Sequence, residues 1–397
     1  MHILFLTQSG LLGPSSRYRV YQLLPELARL GINATVSPAM DDATYSGIYR
    51  QGGGTWQKAA ALRRGWQTRQ ADLRRLDQFD CVVSQNGFLP GIATVECAFA
   101  CRKPLIFDFD DAIYLPRVGG NRLLRALHSE SKVQQILACA AHVTAGNNVL
   151  AAYARQFNPK VTVVPSSIDL GKYASLTEHT EITENLPHMT DASDCRNHDH
   201  PRSSAISAVH FPDPPSVSPV SSVTDLSGAS RIGWIGSAST LPYLKPLKPV
   251  FDALQVKPIV IAAGDPSILG YPVDFRPWTM ETEMDNLRAI GVGLAPLPDT
   301  PWENGKCGVK LLQYMACGIP AVASPVGVHK DIIEHGVNGF LATTTNEWIG
   351  YLRQLMQDQS LRQQMGQTAR RTVEERFSVT QAAKQMAEVL QKMTTDH

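Results

Sequence analysis

Apolar and polar positions follow two rhythms along this chain. Short, nearly continuous apolar runs at 2–6, 32–36, 81–84, 105–107, around 143 and at 161–164 have the length of buried strands. Between them, helical spacing predicts helices over 18–30, 56–76, 89–101, 122–139 and 148–157. Such alternation predicts a parallel sheet with helices on both faces. From 176 to 230 the periodicity stops, and Ser, Thr, Pro, His and Asp dominate, so this stretch reads as a disordered or weakly ordered insert. Strand signals resume at 231–237, 259–263, 273–275, 291–296 and 321–324. A turn at 335–341 feeds a last strand, and helical patterns fill 345–392. The expected organisation is an α/β unit over 1–170, a linker or insert over 171–230, a second α/β unit over 231–375 and a last helix over 376–397.

Composition narrows the picture. A length of 397 residues suits two domains plus connections, and 43% apolar residues supply two cores. A net charge of +1 gives no whole-molecule case for nucleic acid. Seven scattered cysteines (81, 97, 101, 139, 195, 307, 317) suit reduced thiols. Cys97 and Cys101, four apart in an apolar helical run, read as core thiols rather than a metal pair. Residues 1–7 read as a strand rather than a signal peptide, and no apolar run approaches 18 residues, so a cytoplasmic location is expected. The insert holds five of the eleven histidines, densest at 194–200, without the positioned surroundings that a metal site needs.

The stretch 56–78 is basic, with Lys58, Arg63, Arg64, Arg69, Arg74 and Arg75 against two acids, and carries Trp56, Leu62, Trp66 and Leu73. Two readings stand. Its apolar face packs on the sheet while the arginines are solvated, or a basic helix with Trp lies against an anionic membrane at its inner face.

Chemistry concentrates at 291–327. A strand, a polar loop at 297–307, a helix ending at Gly318-Ile319-Pro320 and a second strand form a β-loop-α-β unit. Ligands of open α/β sheets sit at such strand ends, and a helix start such as that at Gly308 favours an anion. At 100° per residue Lys306, Lys310, Gln313 and Cys317 share a stripe opposite Leu311, Leu312, Met315 and Ala316. Two lysines one turn apart repel unless an anion lies between them, and the simplest partner is a phosphate or diphosphate. The first turn, 8–17, is a Gly-containing strand-to-helix loop but not G-x-G-x-x-G, so a dinucleotide reading is weak. Arg17 and Arg19 flank Tyr18, so at most one faces a cleft, Arg17 being favoured. Asp108-Phe109-Asp110-Asp111 closes a strand; by itself it reads as a metal-binding pair or as turn chemistry.

The run Leu311-Leu312-Gln313-Tyr314-Met315-Ala316-Cys317-Gly318 resembles the donor-site signature of the retaining GT-B-fold glycosyltransferases of family four, the glycosyltransferase group-one type. The resemblance implies two Rossmann-like domains facing across a cleft, with the acceptor on the first and a nucleotide-diphosphate sugar on the second. It implies a last helix that returns to brace the first domain. The family opens the loop with a Glu where this chain has Gly305, leaving Glu303 as the nearest acid. Gln313 stands where a second Glu holds the nucleotide ribose. Ser237 and Leu241 stand where Arg and Lys commonly hold the diphosphate, which shifts that work to Lys306 and Lys310. The resemblance also puts Gly13, Arg17 and Asp108 on the acceptor or phosphate side and Asp110 and Asp111 at the catalytic centre, with no metal; Trp278, just after a strand, is placed either to line the base pocket or to pack in the core. The implied activity is metal-independent, retaining hexosyl transfer to an acceptor hydroxyl, as on a glycan or a lipid-linked or cell-surface glycan precursor of polysaccharide biosynthesis. The sugar nucleotide is a co-substrate, and no cofactor is expected. The competitors are a GT-B-fold sugar-nucleotide epimerase, a non-catalytic nucleotide-sugar binding protein and, more remotely, an oxidoreductase.

Overall fold

In the computed structural model the described residues are 1–49, 52–87, 93–116, 130–173 and 231–395. The expected insert at 176–230, with its histidine cluster, lies outside them, as do 89–92 and 122–129 of two expected helices.

Two six-stranded parallel sheets organise the chain. The first contains β1 (His2–Thr7), β2 (Asn33–Pro38), β3 (Cys81–Gln85), β4 (Leu105–Phe109), β5 (His142–Ala145) and β6 (Val161–Val163), in the order β2-β1-β3-β4-β5-β6. The second contains β7 (Ile232–Gly236), β8 (Ile259–Ala262), β9 (Asp274–Pro277), β10 (Val292–Ala295), β11 (Ala321–Ala323) and β12 (Gly339–Leu341), in the order β12-β11-β10-β7-β8-β9. The central strands β3, β4, β8 and β10 are buried at every position, because helices cover both faces. Strand order reverses between β1 and β3 in one sheet and between β7 and β10 in the other. Loops diverge at such points and leave a crevice at the carboxyl ends of the strands. The loops concerned are those after β1, β3, β7 and β10, and the last leads to Lys306 and Lys310.

Helix boundaries differ from expectation where a proline intervenes. The span 18–30 is broken into Pro14–Arg19, a 3₁₀ turn at Tyr21–Leu23 and Leu24–Arg29, with Pro25 opening the last piece. The basic helix is Thr55–Arg74, followed by a 3₁₀ turn at Leu76–Gln78. Of its larger apolar side chains Leu73 packs on the sheet core, against the cluster of Leu4, Leu6 and Val82, while the others face outward. Ala61, Gly65, Arg69 and Asp72 face inward, while Trp56 is 89% exposed and Leu62 and Trp66 are also exposed. Arg69 explains this: it donates to the Thr7 carbonyl at the end of β1 (2.8 Å) and to Asp72 (3.1 Å), and two small residues let the helix come close enough. Cys97, half-buried, meets Cys139, Sγ to Sγ 3.1 Å, whereas Cys101 is exposed rather than in the core.

The last helix, Val379–Thr395, lies on the first sheet, where Ala383, Met386 and Leu390 join a core with Ile3, Phe5 and Leu27. The chain therefore passes twice between the sheets. The passages lie side by side, with Ile168 donating to the Phe377 carbonyl (2.9 Å) and Val379 donating to the Ile168 carbonyl (3.0 Å).

Candidate functional site

The lysine-bearing helix is Val309–Ala316, with Gly308 as its N-cap at φ +69°. Only glycine suits this position, since a Cβ would also come within 2.7 Å of Ile332 Cδ1. The lysines are therefore not one helical stripe: Lys306 precedes the helix, and Gln313 and Cys317 are buried rather than presented to solvent. The two amines are still neighbours. Burial, reinforced by the like charge of Lys306, pushes the Lys310 ammonium down to about 7. Its side chain is half-buried, with Gly236 close against its Cε. Nζ donates to Thr240 Oγ1 (3.2 Å) and sits 4.7 Å over the Trp234 ring. Among the described residues Lys310 has no carboxylate partner, whereas Lys306 reaches across the crevice to Asp111 (3.0 Å). Ser237 is exposed on the rim and exchanges hydrogen bonds with Ser239 and Thr240. His329 lies behind Gly308, held by the Ser324 carbonyl (3.0 Å) and lowered by burial to about 4, so it is neutral.

On the facing lobe the three aspartates have separate fates. Asp108, expected on the acceptor or phosphate side, is sealed at 1% exposure, accepting from Arg19 Nε (3.1 Å) and Thr144 Oγ1 (2.7 Å). It holds the end of β4 and touches no open space, a correction caused by Arg19 turning inward. Asp110 accepts from Asn86 Nδ2 (2.8 Å), a residue that itself adopts φ +59° just after β3. Burial, then the charge of Asp111, push the Asp110 carboxyl up to about 6. Asp111 pairs with Lys306. Gly13 caps the first helix, and a Cβ there would lie 1.7 Å from Ser9 Oγ.

Among the described residues the lobes meet around Asn147 and Cys307 and around Arg17 and Glu283. At the first, Asn147 Nδ2 donates to the carbonyls of Gly305 (3.0 Å) and Lys306 (3.2 Å), and Cys307 Sγ donates to the Asp110 carbonyl (3.1 Å). A Cβ on Gly305 would lie 2.7 Å from Ala112 Cβ, and one on Gly146 would lie 2.4 Å from Cys307 Sγ. This contact explains why position 305 carries no side chain. Glu303, the nearest acid, is buried in its own lobe and accepts from Tyr243 and Thr300 hydroxyls. At the second place Arg17 Nη2 donates to Glu283 Oε2 (3.2 Å), beside Trp278 and Gln313. Glu283, Tyr173, Asn147 and His329 carry no motif-level signal in the sequence; proximity alone reveals them. Among the described residues no group of three or more His, Cys, Asp or Glu could hold a metal ion.

Residues 300–372 match the model of the glycosyl transferases group 1. A curated relative, N-acetyl-alpha-D-glucosaminyl L-malate synthase of Bacillus anthracis, is 36% identical over 77 residues. That alignment covers 19% of this chain and 20% of the relative, so the likeness spans about a fifth of each. Among solved structures, sucrose-phosphate synthase from Thermosynechococcus elongatus superposes with a TM-score of 0.65 at 14% identity, over 100% of both chains. Anabaena HepE in complex with UDP and glucose gives 0.62 at 18% identity, over 99% of this chain and 100% of that one. The lipopolysaccharide outer core galactosyltransferase WaaB gives 0.55 at 13% identity, over 99% of each chain. At such identities these structures speak to the fold. The segment 300–372 is thus similar to the group 1 glycosyl transferases, and the chain that carries it has the two-sheet fold of the solved glycosyltransferase-type structures it superposes on.

Proposed function

We propose that this protein is a retaining, metal-independent glycosyltransferase that moves a hexosyl group from a nucleotide-diphosphate sugar to an acceptor hydroxyl. The observation that carries the reading is Lys310, a crowded ammonium beside a second lysine and without a carboxylate partner among the described residues. A diphosphate at the amino end of Val309–Ala316 would relieve that repulsion and meet the backbone N–H groups at the helix start. As the bond from the anomeric carbon to the diphosphate breaks, its electron pair goes to the leaving phosphate. Lys310, Lys306 and the helix start stabilise that charge, an effect typically worth about 3–4 kcal/mol per donor group. Asp110 and Asp111 stand on the acceptor side of the same crevice, with Arg17 beyond them. The contacts at Gly305 and Cys307 exclude water from between the lobes, which limits hydrolysis of the donor.

The acceptor in this reading is a lipid-linked glycan precursor presented at an anionic membrane surface. Its support is Thr55–Arg74, where exposed Trp56, Leu62 and Trp66 stand beside Lys58, Arg63 and Arg74, none paired with an acid among the described residues. A cavity of about 280 Å³, lined by Met40, Asp41, Thr44, Arg64 and Thr68, opens beside this helix. The Met40 carbonyl accepts from the Gly10 N–H of the first-turn loop (3.1 Å).

A thermal-shift panel of UDP-, GDP- and ADP-sugars without added metal tests the donor. A ligand at one hundred times its Kd stabilises by about 2.7 kcal/mol. Transfer to an acceptor panel should follow for the donor that binds. Isomerised sugar nucleotide with no acceptor would instead make the protein an epimerase, and binding without turnover a non-catalytic receptor. Sedimentation with anionic but not neutral vesicles, lost in W56A/W66A, tests the membrane face.

A further inference from the structure

Glu283 opens the helix Glu283–Arg288 and is only 6% exposed, yet its carboxylate is the most heavily hydrogen-bonded acid at the crevice. Oε1 accepts from Tyr173 OH (2.9 Å) and Gln313 Nε2 (3.4 Å). Oε2 accepts from Trp278 Nε1 (2.6 Å) and Arg17 Nη2 (3.2 Å). Trp278 and Gln313 come from the same lobe as Glu283. Arg17 comes from the opposite lobe, and Tyr173 from the connection that follows the first sheet. Tyr173 is also tied to the second lobe, since Gln313 Nε2 donates to its hydroxyl (3.2 Å) and Arg370 donates to its carbonyl, so Arg17 is the partner that the opposite lobe supplies. Arg17 is also imperfectly housed here, since among the described residues its buried Nε has no hydrogen-bond partner.

The location gives this carboxylate a use. Gln313 follows Lys310 by three residues, about 4.5 Å along the helix, on the side away from the helix start. Resting on the sugar-nucleotide reading above, the diphosphate lies at Lys310 and the nucleoside extends toward Gln313 and Glu283. Ribose offers two adjacent hydroxyl donors, and an ionised carboxylate offers two acceptor oxygens and no competing donor. We propose that Glu283 is the ribose-binding residue of the donor site, its two oxygens exchanging Tyr173 and Arg17 for the ribose hydroxyls. Trp278 and Gln313 keep the carboxylate aimed during the exchange. Nucleotide entry is thereby coupled to release of the first lobe at this end of the crevice.

Calorimetry on the full-length protein tests this with three ligands: the nucleoside diphosphate that stabilises most in the panel, its 2′-deoxy analogue, and inorganic pyrophosphate. Hydrogen bonds to a charged group are worth enough that the wild type should prefer the ribonucleotide by roughly tenfold or more. E283Q should lose that preference while binding pyrophosphate as the wild type does. Y173F removes a competing donor and should bind the ribonucleotide more tightly, with pyrophosphate unchanged. A wild type indifferent to the 2′-hydroxyl, or E283Q that discriminates as before, overturns the assignment. So does an E283Q loss shared equally by pyrophosphate, which would make Glu283 a lobe fastener, or weaker ribonucleotide binding by Y173F. A wild type that binds none of the three overturns the sugar-nucleotide reading itself, and this inference with it.

Discussion

Two contacts between the lobes are built from different materials. The contact around Gly305, Cys307, Asn147 and Asp110 consists of main-chain carbonyls, a thiol and two glycines whose Cβ positions are already filled by the other lobe. The contact around Glu283 consists of charged and hydroxyl side chains on flexible stems. Close-packed backbone tolerates little change in volume, because neither side can yield without moving a whole strand end. Side-chain hydrogen bonds tolerate movement but respond to charge and to competing polar ligands. One contact sets how near the lobes come; the other is the natural place for a ligand to intervene.

Gly305→Glu puts the difference to the largest test. It restores the acid that related enzymes are expected to carry, yet its Cβ would collide with Ala112. The expected result is a fall in kcat/KM of about 100-fold, the scale of a 1 Å misplacement, with a larger radius of gyration in scattering. A gain in activity would mean that closure at this point is not required. Lys310→Ala removes charge rather than adding volume and should lower kcat/KM by roughly tenfold or more without opening the lobes. Unchanged transfer would remove Lys310 from the site.

Protonation sharpens the contrast further. Lys310 titrates at about 7 in the ligand-free protein, and a bound diphosphate raises that value. Above pH 7 donor binding should therefore take up a proton, and affinity should weaken as pH rises. Calorimetry at pH 8 in buffers of different ionisation enthalpy reads the uptake, which should vanish in Lys310→Ala. The smallest effect is expected at Asp110, whose carboxyl titrates at about 6 in the fold against about 4 when unfolded. A raised folded value supports the fold below pH 4 and loses that contribution as pH climbs through 6. Asp110→Asn should thus raise Tm relative to wild type above pH 6 and leave it unchanged below pH 4. An equal shift at both would mean that packing, not charge, governs the site.

Local pattern by itself determined the two parallel sheets, since short apolar runs between helical periods can be buried only with helices on both faces. It also determined that a lysine-bearing helix start stands at a strand's carboxyl end, because Gly308, Lys310 and the Gly318-Ile319-Pro320 stop are neighbours in the chain. Periodicity reports which face of an element is apolar, and it was insufficient for Thr55–Arg74, where Arg69 went inward and two tryptophans outward. The tertiary structure alone decided that Asp108 is sealed by Arg19, that Lys306 meets Asp111, and that Glu283 gathers Arg17, Tyr173, Trp278 and Gln313. The physical reason is that a hydrogen bond depends on where two atoms lie. The atoms in these contacts belong to positions as much as 266 residues apart, and only the docking of one lobe on the other brings them within reach.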